Sequence, residues 1–166
     1  MTQPNILIIQ ADQHRADCIG AYGNVDIQTP HIDSLAGDGV RYDNSFCVYP
    51  VCTPSRYSFL SGLYVRQHLG GSNHCTLSSG LATFPRLLRD VGYRTKAVGK
   101  MHLTPTYADV GFDQLLLQLD IKIRLNDFKA PDILLLFCTE LCPHGLYGSN
   151  LLGAFNKSTC IKHSSC

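Results

Sequence analysis

The chain of 166 residues has no tryptophan, few charges and no long hydrophobic run. No stretch approaches the roughly twenty apolar residues that span a membrane, and the start, MTQPNILIIQAD, lacks the basic segment and cleavage site of a secretion signal. Lys and Arg number 14 against 13 Asp and Glu, a net charge of +1, which excludes the strongly basic surface that attracts nucleic acid or anionic membranes. We therefore expect a cytoplasmic protein with no nucleic-acid and no membrane partner.

The residues that are present have the composition of a globular domain. Hydrophobic residues make up 45% of the chain and charged residues 16%, which is too apolar for a mostly disordered chain. The length is that of one ordinary domain with a buried core. The eight cysteines are scattered rather than dense, so we expect most of them to be reduced thiols.

Short apolar segments and amphipathic segments alternate along the first hundred residues. Their patterns predict strands over 5–10, 40–46 and 93–98, and helices that begin at Pro30, Pro54 and Phe84. Polar residues directly follow two of these strands, as Asp12-Gln13 and as Lys100 to His102. Ligands of open α/β sheets bind at that end of the strands. The order of elements therefore predicts an α/β layer with polar groups at one edge.

The alternating pattern stops near Leu117, and we divide the chain there. Residues 1–117 form the first part, and residues 118–166 form a divergent tail in which 132–137 predicts one strand. Four cysteines and two histidines lie in this tail without any Cys-x-x-Cys pair, so we do not predict a zinc site. We interpret His68 and His74, which flank a Gly-Gly loop, as loop residues rather than metal ligands.

Cys52, in the segment CTPSR, is the candidate nucleophile. Thr53 and Pro54 have the features of an N-cap and a first helical position, so Cys52 should lie at a helix N-terminus, where free N–H groups favour a thiolate or an oxyanion. Arg56 follows one helical turn later and should offer its guanidinium on the same side. The five residues alone also fit a buried structural cysteine beside a surface arginine, so the rest of the sequence must decide.

The first hundred or so residues resemble the N-terminal part of the sulfatase family, within the alkaline-phosphatase-like superfamily. The segments that carry the resemblance, in the family's order and spacing, are PNILIIQADQHRAD, TPHIDSLAGDGVRYDNSF, PVCTPSRYSFLSGLYVRQHLG and VGYRTKAVGKMHL. The resemblance implies an α/β fold with a mixed, mainly parallel sheet flanked by helices. It also implies an enzyme that hydrolyses small-molecule sulfate esters to sulfate and an alcohol.

The resemblance assigns the nucleophile and its helpers. In this family a maturation (formylglycine-generating) enzyme oxidises the cysteine at the position of Cys52 to formylglycine. The hydrate of that aldehyde has two hydroxyls, of which one attacks sulfur and the other expels sulfate as the aldehyde re-forms. Lys100 and His102 match the family's GKWHL pattern, and with Arg56 they are implied to hold the sulfate group and to protonate or stabilise the leaving oxygen.

A divalent cation is implied as well, most often Ca²⁺, which takes oxygen ligands. Asp12 corresponds to one of its carboxylate ligands, and the modified Cys52 to another ligand. Gln13 stands where many sulfatases have a second acid, and its amide oxygen is a neutral donor. The Asp-Gln pair also resembles phosphonate and choline-sulfate hydrolases, so a phosphonate or phosphate monoester hydrolase of the same superfamily is the alternative function.

The family also has an Asp-His-Gly turn after a later strand, and further histidine and lysine residues near the sulfate. The segment 132–137 resembles the strand before that turn, but no Asp-His pair follows it. We therefore predict the truncated N-terminal part of a sulfatase, with an incomplete fold, an under-ligated cation and apolar sheet edges that favour self-association. A catalytically inactive truncated product is the remaining alternative.

Overall fold

The computed structural model describes residues 3–116, 132–138 and 160–164. Within these ranges the chain forms five strands, four α-helices and two short 3₁₀ helices. In chain order they are β1 (Ile6–Ala11), the 3₁₀ helices Ala16–Cys18 and Gly20–Tyr22, α1 (Pro30–Asp38), α2 (Cys52–Ser61), α3 (Val65–His68), α4 (Phe84–Asp90), β2 (Arg94–Gly99), β3 (Gln114–Leu116), β4 (Asp132–Cys138) and β5 (Cys160–Ser164). None of the described helices is long and apolar enough to cross a bilayer.

The five strands form one sheet in the order β3-β2-β4-β1-β5, and the described pairings are all parallel. Strand β4 pairs with β1 on one side and with β2 on the other. The carboxyl ends of β1 and β2 therefore point to the same edge, two strand spacings or roughly 10 Å apart. The predicted α/β fold with a mainly parallel sheet is confirmed.

The core lies between the sheet and helix α2. Its central side chains are Tyr57 and Leu60 from α2, Ala97 from β2, and Met101 just beyond β2; these are almost fully buried. Burying a side chain such as Leu60 stabilises a fold by about 1.5–3 kcal/mol. The complete cluster comprises Ile8, Tyr57, Leu60, Leu77, Ala97, Met101, Leu103 and Val110.

Helix α2 is enclosed on nearly all sides, because most of its residues are buried. Several of these residues are polar, including Thr53, Ser58 and Arg56. A buried polar group without a hydrogen-bond partner costs about 1–3 kcal/mol, so each needs a partner from another part of the chain. These partners tie α2 to the loops that surround it.

Two strands and two helices agree with the sequence-based expectations to within about one residue. Strands β1 and β2 begin and end one residue later than predicted, and helices α1 and α4 begin where expected. Helix α2 begins at Cys52, so its N-cap is Val51 and not Thr53. The predicted tail strand is confirmed as β4, and β5 was missed. The division of the chain at Leu117 stays a prediction.

The predicted strand over 40–46 is wrong. This segment consists of turns and irregular backbone, and its apolar side chains Val40, Tyr42 and Phe46 are 72%, 68% and 80% exposed. The Tyr22 hydroxyl donates to the carbonyl of Tyr42 at 2.7 Å, and Arg41 donates to the carbonyl of Ala21. An apolar run forms a strand only beside another strand, and no described strand lies next to this one.

His68 is not a loop residue, as we had interpreted it, because it ends helix α3 and is buried. Its Nε2 lies 2.9 Å from the hydroxyl of Ser58, and its Nδ1 accepts the N–H of Gly70 at 3.0 Å. Nδ1 therefore carries no proton. Burial lowers the pKa of His68, because the imidazolium would be poorly hydrated there.

His68 should make the fold less stable as the pH falls. The pKa of His68 in the folded chain lies below its value of about 6.5 in the unfolded chain. As the pH falls below about 6.5, the unfolded chain therefore binds a proton at His68 more readily than the folded chain does. The free energy of unfolding decreases as a result. Urea unfolding between pH 5 and pH 8 should show this slope, and His68→Gln should flatten it. The same change at exposed His31 is the control. An equal slope in both variants would contradict the assignment.

A substitution at Gly111 would test how closely helix α4 packs against the loop before β3. Its φ is +99°, and a Cβ there would lie 2.8 Å from the backbone nitrogen of Arg86. Gly92 has a similar φ of +92° with no atom within 4 Å of that position. Gly92→Ala should therefore cost only the backbone strain, about 1–2 kcal/mol, and Gly111→Ala clearly more. Equal shifts in urea unfolding would show that Arg86 moves away without cost.

Candidate active site

The polar residues that follow β1 and β2 meet at the carboxyl edge of the sheet. Lys100 Nζ donates to Asp12 Oδ2 at 2.6 Å, and Arg56 Nη2 lies 3.6 Å from Asp12 Oδ1. Asp12 follows β1, Lys100 follows β2, and Arg56 comes from α2. The structure thus brings three of the predicted site residues into one ion-pair cluster.

Arg56 is the most deeply placed charge of this cluster, with 3% of its side chain exposed. Burial lowers the pKa of its guanidinium, while the negative charge of Asp12 acts in the opposite direction. An arginine nevertheless remains protonated in proteins. Asp12 therefore supplies a counter-charge that makes the burial of Arg56 tolerable.

Cys52 is the first residue of α2 and is half-buried. The N-cap residue Val51 offers no side-chain hydrogen bond. The cap comes from the loop after α3, where Asn73 Oδ1 accepts the N–H of Thr53 at 3.0 Å. The expected position of Cys52 at a helix N-terminus is confirmed, with a different residue as the cap.

His102 lies in the loop beyond β2 with a backbone φ of +48°, in the left-handed region. Its carbonyl accepts a hydrogen bond from the hydroxyl of Thr53 at 2.7 Å. Although the residue is exposed, the surrounding protein desolvates the imidazolium and lowers the pKa of His102, and the charges of Lys100 and Arg56 lower it further against the opposing effect of Asp12. The ring is therefore neutral at pH 7.

The charges of the site favour an anion. One carboxylate, Asp12, faces the two cations Lys100 and Arg56, and the first turn of α2 adds its partial positive charge. Helix N-termini and arginine side chains are the usual ligands of sulfate and phosphate groups in proteins. The cluster therefore suits a tetrahedral oxyanion beside Cys52.

The same residues are a poor match for a divalent cation on their own. Asp12 and Gln13 do provide oxygen donors, which hard cations prefer. However, the described part of the chain contains no group of three or more His, Cys, Asp or Glu residues that could hold a metal ion. Asp12 is also already bonded to Lys100, and Gln13 is exposed. A cation at Asp12 would need further ligands and would compete with Lys100.

Sequence reasoning missed Asn73 and the role of Thr53. Asn73 acts on a helix that begins about twenty residues earlier, so no local pattern reveals the contact. Thr53 was interpreted as an N-cap because threonine is common there. Its actual partner, the carbonyl of His102, is 49 residues away. The one available signal was the position of Thr53 directly after the candidate nucleophile.

A sequence model of the sulfatase family matches residues 4–131 of the chain. The N-acetylglucosamine-6-O-sulfatase of Bacteroides thetaiotaomicron is 37% identical over 130 residues, which cover 78% of this chain and 23% of that protein. The steryl-sulfatase of Rattus norvegicus is 43% identical over 113 residues, which cover 60% of this chain and 19% of that protein. The residues that the family model matches include Asp12, Cys52, Arg56, Lys100 and His102.

Solved structures of related enzymes have a similar fold. The phosphonate monoester hydrolase of Agrobacterium radiobacter superimposes with a TM-score of 0.64 at 28% identity, covering 71% of this chain and 26% of that one. The chain thus spans between 19% and 26% of the length of these three proteins. The expected alkaline-phosphatase-like architecture is confirmed for the part that aligns.

Asp12→Asn should destabilise the fold strongly, because it leaves the buried Arg56 without this counter-charge. Breaking such a buried pair from one side costs about 3 kcal/mol or more. The matched control is Asp17→Asn, which removes the carboxylate of the exposed Arg15–Asp17 pair and should leave stability unchanged. Urea unfolding at pH 7 compares the two variants. If both had the same small effect, Asp12 would not support Arg56.

Proposed function

The chain belongs to the sulfatase family, and from that premise we propose that its site hydrolyses sulfate esters to sulfate and an alcohol. The observation that carries the proposal is the meeting of Arg56 and Lys100 on Asp12, at the N-terminus of the helix that Cys52 begins. This arrangement offers a nucleophile position and positive charge for one tetrahedral anion.

We propose that a maturation enzyme oxidises Cys52 to formylglycine. One hydroxyl of the hydrated aldehyde attacks sulfur, the bond from sulfur to the alcohol oxygen breaks, and a covalent sulfate ester remains. The second hydroxyl then loses its proton as the carbonyl re-forms, and the carbon–oxygen bond to sulfate breaks. A single hydroxyl has no such second step, so the modification explains why a plain serine or cysteine would be a weaker catalyst.

The surrounding side chains would act on the charges of this reaction. Arg56 and Lys100 hold the non-bridging oxygens of the sulfate group. The charges of Lys100 and Arg56 reach His102, whose lowered pKa favours the neutral ring. A neutral ring would donate its N–H to the leaving oxygen as a hydrogen bond, which stabilises the developing negative charge. Full proton transfer from an imidazolium would require a lower pH.

We further propose that a divalent cation, Ca²⁺ by its preference for oxygen, takes part at Asp12. Gln13 and the modified Cys52 are the neighbouring donors that this chain offers. The cation would supply positive charge to the sulfate oxygens. Since the described residues contribute a single carboxylate there, the remaining ligands would have to come from outside them.

A phosphonate monoester is the second candidate substrate. The solved hydrolase from Agrobacterium radiobacter bears that activity in its name, and the neutral amide at Gln13 reduces the negative charge near the substrate. A phosphonate monoester also presents a tetrahedral oxyanion. Competition between an aryl sulfate and an aryl phosphonate for the same site would rank the two.

Self-association is also proposed, from apolar side chains that the structure leaves exposed in one segment of the chain. These side chains are Val40, Tyr42, Phe46 and Val48. Exposed apolar side chains favour contact with another protein surface where they form a patch. Sedimentation velocity would test this by comparing the chain with a variant that carries Val40→Ser and Phe46→Ser.

The central test combines mass spectrometry with turnover. The 166-residue chain is produced together with a formylglycine-generating enzyme, and the peptide that contains Cys52 is weighed. We expect the formylglycine mass, and hydrolysis of an aryl sulfate that Cys52→Ala abolishes. Cys18→Ala is the matched control, because this thiol lies outside the CTPSR segment and its Sγ is 3.8 Å from the exposed Asp17, and it should keep the activity. His102→Ala should lower kcat by about 10²–10³-fold, because one hydrogen-bond donor to the developing negative charge is lost.

An unmodified thiol together with no turnover that depends on Cys52 would overturn the proposal. That result would favour the third alternative, a catalytically inactive product. A modified Cys52 without turnover would instead show that the maturation enzyme recognises the chain but that the site is incomplete.

A further inference from the structure

Thr53 has no role in the proposed chemistry, yet it is 0% exposed and connects two parts of the site. We infer that Thr53 is the positioning residue for His102: its hydroxyl holds the backbone of His102, and with it the imidazole, in place beside the start of α2. The inference rests on the proposed function only in one respect: that function gives the reason why the position of His102 matters. The contacts themselves are independent of any substrate.

Thr53 makes two hydrogen bonds, one from its side chain and one from its backbone. Its Oγ1 donates to the carbonyl of His102 at 2.7 Å, and its backbone N–H donates to Asn73 Oδ1 at 3.0 Å. The side chain thus points to the loop after β2, while the backbone is capped by the loop after α3. Because Thr53 directly follows Cys52, this hydrogen bond links the loop of His102 to the residue next to the nucleophile position.

The backbone of His102 is strained. The left-handed region is unfavourable for a residue other than glycine, and His102 has a φ of +48°. Such a conformation persists only where the surroundings hold it. The hydrogen bond from Thr53 ends on the carbonyl of this same residue, so it acts directly on the strained backbone.

Two further hydrogen bonds hold the same loop at Thr104, two residues after His102. Thr104 N–H donates to the hydroxyl oxygen of Tyr57 at 3.2 Å, and Thr104 Oγ1 donates to the carbonyl of Asn73 at 3.0 Å. Tyr57 lies one helical turn after Thr53. Helix α2 therefore holds the loop at residues 102 and 104, from two successive turns.

Through these contacts, α2 is the element that positions the residues of the site. The helix carries Cys52 at its first position and Arg56 one turn later, and through Thr53 it also sets the position of His102. Nucleophile, oxyanion ligand and leaving-group partner are thereby fixed relative to one another. Small errors in such positions reduce catalysis steeply.

Thr53→Val tests the inference because it keeps the shape of the side chain and removes the hydroxyl. The matched control is Thr83→Val, since Thr83 is 1% exposed and its Oγ1 donates to the carbonyl of Val110 at 2.6 Å. Both variants lose one buried hydrogen bond between a threonine and a carbonyl. They should therefore lose similar stability, and only the first should affect His102.

The readout is the titration of the His102 imidazole, followed by NMR and assigned with His102→Gln. In Thr53→Val we expect the pKa of His102 to rise toward its ordinary value, because the ring becomes better hydrated and leaves the neighbourhood of Lys100 and Arg56. Thr83→Val should leave the titration as it is, and Thr53→Ser, which retains the hydroxyl, should restore it. Where turnover is measurable, kcat should fall about tenfold or more in Thr53→Val and recover in Thr53→Ser.

An unchanged His102 titration in Thr53→Val, with a loss of stability equal to that of Thr83→Val, would reduce Thr53 to a structural residue and overturn the inference. If Thr53→Val does not fold, the comparison of Thr53→Ser with Thr53→Ala gives the same decision. The NMR readout needs no catalysis. A shifted titration in a chain without turnover would therefore support the role of Thr53 while counting against the proposed function.

Discussion

The ion pairs on Asp12 connect the main parts of this structure. Arg56 reaches Asp12 from α2, and Lys100 reaches it from the end of β2, while Asp12 itself continues β1. A guanidinium that is as buried as Arg56 requires an anion close by. The parallel sheet meets that requirement because it delivers the ends of β1 and β2 to the same edge, on either side of β4. The position of α2 on the sheet and the charge of the site therefore depend on one another.

Helix α2 shows how an interior helix can carry reactive groups. A helix that packs only one face on a sheet leaves its polar side chains in water, whereas α2 buries Thr53, Ser58 and Arg56. Each of these side chains has a partner from a distant part of the chain: the carbonyl of His102, the ring of His68 and the carboxylate of Asp12. Burying these polar side chains costs little stability as long as their hydrogen-bond or ion-pair partners are present. Removing one partner leaves a buried polar group unsatisfied and lowers the stability much more. The helix is consequently fixed along its length, as a nucleophile position requires.

The sequence predicted the parts of the fold that follow from local pattern. Strand β1 is an apolar run that ends just before Asp12, and β2 ends before Lys100, so a parallel sheet was enough to predict that both residues lie at the same edge. The strand over 40–46 failed because its apolar residues satisfied the pattern while no described strand lies beside them. Asn73, Thr53 and His68 could not be found, since their partners are set by tertiary packing and not by spacing. The family resemblance supplied the roles of the site residues, which no local pattern contains.

The charge balance at Asp12 bears on what the site can bind. An incoming sulfate group would need the donors of Lys100 and Arg56, and both are directed at Asp12. Carboxylate and oxyanion would then compete for the same two cations, and each would also repel the other at short distance. Balancing the charge of Asp12 from another side would weaken this competition and free Lys100 for the substrate. The divalent cation that we propose at Asp12 would do so, and such a cation would then have a physical role that does not depend on its direct contact with the sulfate group.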